Sequence, residues 1–547
     1  MKKYLVIFIG ILFSLLIAVF CYFWATNLMD SLYAYRSPIA DVSLPVSKPL
    51  GTRLTRRVVP ILVDGLRVDT ASNKEVMPFL NSLREQGASA VTHSGLPSYS
   101  APGWSVLAIG AWPELSDGPA MNPTSVEEYR IWTQDNIFSS IHAAGLKTAA
   151  AANINYQYLI PPSALDGTAW TVEETPAADQ QNITSAVQFI KTGNYDLVFT
   201  YMVQVDDAGH NEGGPRDPRW NEAARRADDL LREVVSTLDL TQDTVLIYSD
   251  HGQIDAGGHG GQDPVVLLQP FIMAGAGVKQ GFYGDIHQVD IAPTITTLLG
   301  AGIPSAAQGR VLTEMLSLSP SQLDAVRQAE MSQQDSLYHA YGKAINIPNA
   351  EVSVPADKEP VSVYQTALNG LINTRLNNER LPRFLVLVPL MLIPPFLFFR
   401  KRSRKTAKIL ISIALYLLIF HALYAWLNGG TYTLSTVLSS NDLITTSAMY
   451  SGAAYLAAWV VSLFLLNYRN EPRSSAVEWH LGMTYSLVYV LALPAVWSLA
   501  VNGLLVSWTL PDVGSMFFGF IFILQILFVS VLNIPMAGIT ALISKRI

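Results

Sequence analysis

The chain has 547 residues, half of them apolar and only 14% charged, where an average globular domain carries roughly 25% charged residues. That balance argues against an ordinary cytosolic enzyme, and 21 Phe, 23 Tyr and 11 Trp rule out disorder. A net charge of −7 without a long basic run argues against a nucleic-acid partner, and a single cysteine, Cys21, removes any internal disulfide framework or thiolate metal site.

Residues 4–25 carry no charge and are long enough to cross roughly 30 Å of hydrocarbon. The run is too long for the core of a signal peptide and no A-x-A-like site follows, so it reads as an uncleaved anchor behind Lys2 and Lys3. A stretch of normal charge then runs from about 28 to 381. Within it, the apolar run Val58–Val63 ends in Asp64-Gly65. Leu197–Val203 leads through Gln204-Val205 into Asp206-Asp207, and Thr244–Tyr248 leads through Ser249 into Asp250-His251-Gly252. Helical patterns lie over Val76–Gln86, Ile137–Ala144, Ala223–Leu238 and Ile291–Leu299. Continuous apolar runs alternating with helices predict buried parallel strands of an α/β sheet.

Two amphipathic helices are expected over Ser319–Tyr341 and Val361–Leu381. Five apolar segments follow, near 383–399, 407–427, 445–467, 480–502 and 514–542, so an all-α membrane domain with six spans in total is expected. Arg400, Lys401, Arg402, Arg404, Lys405 and Lys408 form the largest basic cluster, followed by Arg469 and Arg473, then Lys545 and Arg546. The alternate loops, about 428–444 and 503–513, hold no Lys or Arg. With six spans every basic cluster falls on the side of Lys2 and Lys3, which puts both termini in the cytoplasm and the large domain outside it. The expected organisation is an anchor over 1–27, an extracytoplasmic domain over 28–315, a helical connector over 316–381 and a membrane domain over 382–547. Compact loops and the lone cysteine favour a bacterial plasma membrane. Asn182-Ile183-Thr184 would carry a glycan only in a eukaryotic secretory compartment.

Ligands of open α/β sheets bind at the carboxyl ends of the strands, and three carboxylates stand at three such ends. Of nine histidines, His210, His251 and His259 lie beside them in sequence; His93, His142, His287, His339, His421 and His480 show no ligand spacing. Taken alone, a strand-end aspartate is more often a helix cap or turn residue. The ordered set is harder to obtain that way, and Asp and His donors without thiolate suit zinc, or manganese or magnesium. Asp207 rivals Asp206, but only Asp206 has the four-residue offset to His210. Glycines at 209, 252, 257, 258, 260 and 261 are expected to let the backbone turn tightly around a shared ion. Between the first two strands, Gly95-Leu96-Pro97-Ser98-Tyr99-Ser100-Ala101-Pro102-Gly103-Trp104 puts a serine hydroxyl at a helix N-terminus, which attracts anions such as phosphate.

Asp64-Gly65, Ser100 with Pro102 and Gly110, Asp206-x-x-Gly-His210, Asp250-His251-Gly252 and His259-Gly together resemble the alkaline phosphatase superfamily, in its phosphodiesterase/nucleotide pyrophosphatase branch. The stretches 96–103 and 249–260 are most similar to the GPI ethanolamine-phosphate transferases. The resemblance runs over roughly 56–315, closing with Val289-Asp290-Ile291-Ala292-Pro293-Thr294. It implies an alkaline-phosphatase-like mixed or parallel sheet flanked by helices, and two divalent ions, most readily zinc. One ion would be held by Asp206, His210 and His259, the other by Asp64, Asp250 and His251 with Ser100. The spacing of the superfamily nucleophile, two residues before a proline and ten before a glycine, selects Ser100 over Ser98. Asn122 stands about where the phosphodiesterases place a phosphate-binding Asn. The chain departs from the transferase pattern at Ala101 and Trp104, where Arg and His are usual, and it carries fewer C-terminal spans.

The implied activity is phosphotransfer of a phosphoethanolamine-like head-group, through a phosphoserine, from a phospholipid to a surface glycan or lipid. Hydrolysis of lipid or nucleotide phosphate esters is the alternative. A non-catalytic membrane scaffold or transporter with a binding domain is the reading of another class.

Overall fold

The computed structural model describes residues 2–400, 404–427, 432–437 and 439–545. Lys401, Arg402 and Arg546 of the basic clusters lie outside the described residues. The chain divides into two compact units, one formed by Tyr33–Arg375 with Ser507–Leu510, the other by Met1–Leu32, Leu376–Val506 and Pro511–Ile547.

The first unit is built on eight strands: β1 (Arg57–Val63), β2 (Ala88–His93), β3 (Thr148–Asn153), β4 (Gly167–Thr171), β5 (Leu197–Met202), β6 (Asp243–Tyr248), β7 (Leu268–Gly275) and β8 (Gly281–His287). They form one sheet in the order β4-β3-β5-β1-β6-β7-β2-β8. β4, β3, β5, β1 and β6 pair in parallel, β7 runs antiparallel between β6 and β2, and β8 lies parallel to β2. The sheet is therefore mixed, flanked by helices, with a single reversed strand.

β1, β5 and β6 are buried along their whole length, as strands covered on both faces must be. Side chains alternate between the faces. Val59, Ile61, Val63, Val198, Met202, Val245 and Ile247 share one core with helices Pro78–Gln86, Pro176–Thr192 and Pro218–Val235. Leu62, Phe199 and Tyr248 face Trp104, Leu107, Phe138 and Tyr156, on the side of helices Ser100–Ile109 and Ile137–Ala143. Helix Pro218–Val235 starts five residues before the apolar periodicity. Asp217 accepts the Arg219 N–H at 3.0 Å and Pro218 occupies the first turn, so the cap rather than the buried stripe sets its start. The other predicted helices are found at Pro78–Gln86, Ile137–Ala143 and Ile291–Leu298, and two long helices occupy Pro320–Ala344 and Pro360–Arg400.

In the second unit, five helices among the described residues are long and apolar enough to cross a membrane: Leu5–Tyr33, Arg404–Leu427, Asn441–Leu465, Arg473–Asn502 and Val513–Ile543. The stretch expected as a further span, 383–399, is helical as the end of Pro360–Arg400, but it is not among those five. Polar side chains join the helices from within. Asn533 Nδ2 donates to Ser14 Oγ at 2.7 Å, and the Tyr455 hydroxyl donates to Asn533 Oδ1 at 3.3 Å while lying 2.7 Å from Thr484 Oγ1. The Tyr485 hydroxyl bonds the Gly10 carbonyl and lies 2.9 Å from Ser14 Oγ. The N-terminal helix is thus bonded into the bundle, where small and polar residues act as glue. Lys405 pairs with Glu471 at 2.8 Å, and the Lys545 N–H donates to the Glu471 carbonyl at 3.2 Å.

Candidate active site

Strand order brings together aspartates that lie far apart in sequence. β5, β1 and β6 are parallel neighbours, so their carboxyl ends lie side by side. Asp64 directly follows β1, Asp250 stands two residues beyond β6, and Asp206 rides on helix Gln204–Asn211 just after β5. The join at Gly65 is tight: its φ is +71°, and a Cβ there would lie 3.0 Å from the Asp206 Cα. The loop after Asp250 returns His259 to the same place, with Gly257, Gly258 and Gly260 in left-handed conformations. Gly209 does not turn the chain as expected but lies inside the Gln204–Asn211 helix.

His251 is the hub. Its Nε2 lies 3.2 Å from Asp64 Oδ1, 3.6 Å from Asp250 Oδ2, 3.9 Å from Asp206 Oδ1 and 3.0 Å from Ser100 Oγ. The His259 ring stacks on it at 3.6 Å, and His259 Nε2 is 3.6 Å from Asp206 Oδ1 and 3.0 Å from His210 Nε2. His210 Nε2 is 3.5 Å from Asp206 Oδ2. The His251 and His259 tautomers are set from behind: Nδ1 of His251 donates to the Gly252 carbonyl at 3.1 Å, and Nδ1 of His259 to the Ser98 carbonyl at 3.0 Å. Both therefore turn Nε2 into the cluster. Asp207 points elsewhere, accepting from Asn211 Nδ2 at 2.7 Å.

Ser100 is the first residue of helix Ser100–Ile109, with Tyr99 at the cap, so the helix begins two residues ahead of Pro102. Ser98 is fixed differently: its Oγ donates to the Gly261 carbonyl at 2.9 Å. Asn122 Oδ1 accepts the Ala101 N–H at 2.9 Å, which places its amide one residue from Ser100. Trp104 turns into the core, stacked on Tyr156 at 4.7 Å and edge-on to Tyr201 at 5.5 Å.

The electrostatics call for a cation. The carboxylates of Asp64, Asp206 and Asp250 expose 1%, 13% and 0% of their side chains. Burial first, then the neighbouring carboxylates, pushes Asp206 and Asp250 well above the usual range, against His251. Burial and then the other imidazoles hold His259 far below the ordinary histidine value. Asp64 Oδ1 and Asp250 Oδ2 are buried without a hydrogen-bond partner. Against its own burial, His251 is pushed up to about 10 by the carboxylates of Asp250, Asp64 and Asp206, so positive charge is favoured among these oxygens and the donor set fits divalent metal ions. Two groups, Asp206–His251–His259 and Asp64–Asp250–His251, each offer ligand atoms within 4.8 Å of one another. His251 reaches both, where the expected division gave it to the Asp64 side alone.

Tyr201 was not foreseen. At the end of β5 it donates its hydroxyl to Asp64 Oδ2 at 2.5 Å, orienting the other oxygen toward His251. Its place five residues before Asp206, on a strand read only as apolar, gave no sign of this.

A serine at a helix N-terminus, beside clustered Asp and His at the carboxyl edge of a mixed sheet, defines the class as an enzyme of phosphoric-ester chemistry. The profile of the type I phosphodiesterase/nucleotide pyrophosphatase family matches residues 58–388, more than half of the chain, and the chain belongs to that family. Among curated proteins it is 24% identical over 332 residues to GPI ethanolamine phosphate transferase 2 of Kluyveromyces lactis, covering 54% of this chain and 40% of the relative. It is 25% identical over 332 residues to the human GPI ethanolamine phosphate transferase 1, covering 52% and 35%. The chain therefore spans well under half of these relatives' length. Among solved structures, murine ectonucleotide pyrophosphatase/phosphodiesterase 5 aligns with a TM-score of 0.39 at 12% identity, over 45% of this chain and 96% of that one. Wild-type alkaline phosphatase PafA aligns with a TM-score of 0.39 at 14% identity, over 49% and 99%.

Proposed function

We propose that the chain is a membrane-bound, metal-dependent phosphotransferase that moves a phosphoethanolamine-like head-group from a phospholipid to a surface glycan or lipid acceptor. The observation that carries this reading is Ser100 Oγ, 3.0 Å from His251 Nε2, at a helix N-terminus beside the unbonded Asp64 Oδ1 and Asp250 Oδ2. Asp206, His210 and His259 would hold one divalent ion, and Asp64, Asp250 and His251 with Ser100 the other. Zinc suits their mixed oxygen and nitrogen ligands. Such a pair supplies a lowered pKa at the bound hydroxyl and charge neutralisation at the transferring phosphoryl group.

Ser100 Oγ loses its proton to solvent and attacks phosphorus; the Oγ–P bond forms as the bond from phosphorus to the lipid's glycerol oxygen breaks. That oxygen takes up a proton and leaves as diacylglycerol. The acceptor hydroxyl gives up its proton and attacks phosphorus; its O–P bond forms as the Oγ–P bond breaks, and Ser100 Oγ takes a proton back from solvent. Asn122, anchored through Oδ1 to the Ala101 N–H, keeps Nδ2 to donate to a phosphate oxygen. Counted with 383–399 as a sixth span, the Lys and Arg clusters of the sequence all fall on one side, which supports an extracytoplasmic catalytic unit by the positive-inside rule. A bacterial plasma membrane remains the proposed location.

Water as acceptor is the second reading, favoured by Ala101 and Trp104 standing where the transferase pattern carries Arg and His. Detergent-solubilised protein should turn over a chromogenic phosphodiester and lose that activity in chelator. Phosphatidylethanolamine labelled in its head-group separates the readings: a labelled membrane acceptor supports transfer, and free phosphoethanolamine alone supports hydrolysis. No turnover of either substrate by metal-loaded protein overturns the enzymatic reading.

A further inference from the structure

Gln253 stands three residues after Asp250 and is fully buried, yet it belongs to neither donor group. Its Nε2 donates to Asp206 Oδ1 at 2.5 Å, and its Oε1 accepts the Gly258 N–H at 2.5 Å. The backbone donor at Gly258 fixes which end of the amide is oxygen, so Nε2 has to face the carboxylate. The Gln253 carbonyl accepts from Arg67 Nη1 at 3.3 Å, and Arg67 is held in turn by Asp69 and Asp255.

One amide therefore ties two separate segments: the helix carrying Asp206 and His210, and the loop that ends in His259. The fit leaves no slack. Gly209 lies flat on the amide, and a Cβ there would fall 2.4 Å from its carbon and nitrogen. Gly257, at φ +85°, packs against the Gly209 carbonyl so closely that a Cβ would come within 1.9 Å of that oxygen.

We propose that Gln253 is the positioning residue of the Asp206–His210–His259 half of the site. Its amide engages Asp206 Oδ1, presents Oδ2 to His210, and locks the loop that delivers His259. This rests on the reading of that triad as an ion site. A buried amide that merely stabilised the fold would, on removal, lower thermal stability without discriminating between two ions in the same protein. A positioning amide weakens one of them, since outer partners of metal ligands typically carry about 10- to 100-fold of ion affinity.

The test uses the full chain in detergent, stripped with chelator and titrated with Zn2+ against a chromogenic chelator, with bound zinc counted after gel filtration. Gln253→Met keeps length and loses both hydrogen bonds. Gln333→Met removes another buried amide, bonded to the Ser305 and Ala307 carbonyls away from the site. Gly209→Ala adds a methyl against the Gln253 amide and deletes no polar group, so it serves even where Gln253→Met fails to fold. The expected result is two zinc ions in wild type and in Gln333→Met. In Gln253→Met and Gly209→Ala one tight ion should remain, with the second weakened about 10-fold or more. Two ions of wild-type affinity in the Gln253 and Gly209 variants, or equal weakening of both, would overturn the positioning role. A wild-type chain that binds no zinc, manganese or magnesium would overturn the metal site itself, and this inference with it.

Discussion

Gly65→Ala isolates the geometry that joins Asp64 to Asp206. At φ +71° an alanine is strained by about 1–2 kcal/mol, and its Cβ would sit 3.0 Å from the Asp206 Cα and Cβ and 3.1 Å from Oδ1. Two of those three atoms are fixed to the backbone, so the neighbour cannot swing away and the helix start must shift by a few tenths of an ångström. Gly193→Ala provides the comparison: its φ is +73°, with nothing within 4 Å of the added methyl. Both variants should melt lower, because the backbone strain is shared, and Gly65→Ala lower still, because the contact with Asp206 adds to it. Only Gly65→Ala should lose turnover, by about 100-fold, since misplacing a reacting centre is far more costly to rate than to folding. The assay is chromogenic phosphodiester turnover beside thermal unfolding at a fixed scan rate. Equal turnover in the two variants would refute the claim that the Gly65 turn sets the spacing of the two aspartates.

Three further outcomes are expected. Ser100→Ala should lower turnover by about 10^4-fold or more with metal content near wild type, whereas Ser98→Ala loses one buried hydrogen bond, about 1 kcal/mol, and keeps turnover; activity of both variants measured beside bound metal decides it. Asn122→Ala should slow turnover by about 100-fold at unchanged metal content, the usual loss for one donor to a developing oxyanion, and wild-type rates would remove Asn122 from the site. Glu330 is pushed up to about 8 by burial, against the Val311 N–H that it accepts. It stays protonated in the folded chain while its unfolded counterpart ionises. Its contribution is full below about pH 4.5 and is lost as pH rises to about 8, at up to about 1.4 kcal/mol per pH unit. Glu330→Gln should flatten that slope and melt higher than wild type at pH 8; parallel melting curves from pH 5 to 9 would contradict it.

The donor set was legible because β1, β5 and β6 are buried on both faces, so each announces itself as an apolar run and its first polar residue marks the carboxyl end. β7 carries a short apolar run of its own, Phe271–Ala274, behind Gln269 and Pro270, but the other strands carry no such signature. β3 reads Thr148-Ala149-Ala150-Ala151-Ala152-Asn153, a run of the strongest helix former, and is a strand only because its small side chains fit between β4 and β5. β8, largely half-exposed at the sheet's edge, holds two glycines, Gly281 and Gly284, that obscure its periodicity. Ser100 over Ser98 came from superfamily spacing, and the structure adds a local contrast: one hydroxyl faces His251, the other is bonded to the Gly261 carbonyl. Tyr201 and Gln253 escaped because their roles depend on which strand lies beside which, and periodicity carries no information about that.

The bond from Asn533 to Ser14 has a consequence for how the chain is made. A ribosome delivers residue 14 long before residue 533, so the first helix spends most of synthesis with that hydroxyl lacking its eventual mate. Helix Leu5–Tyr33 is therefore tied in two stages, first when Tyr485 reaches the Gly10 carbonyl and Ser14, and then when Asn533 adds its bond to the same hydroxyl.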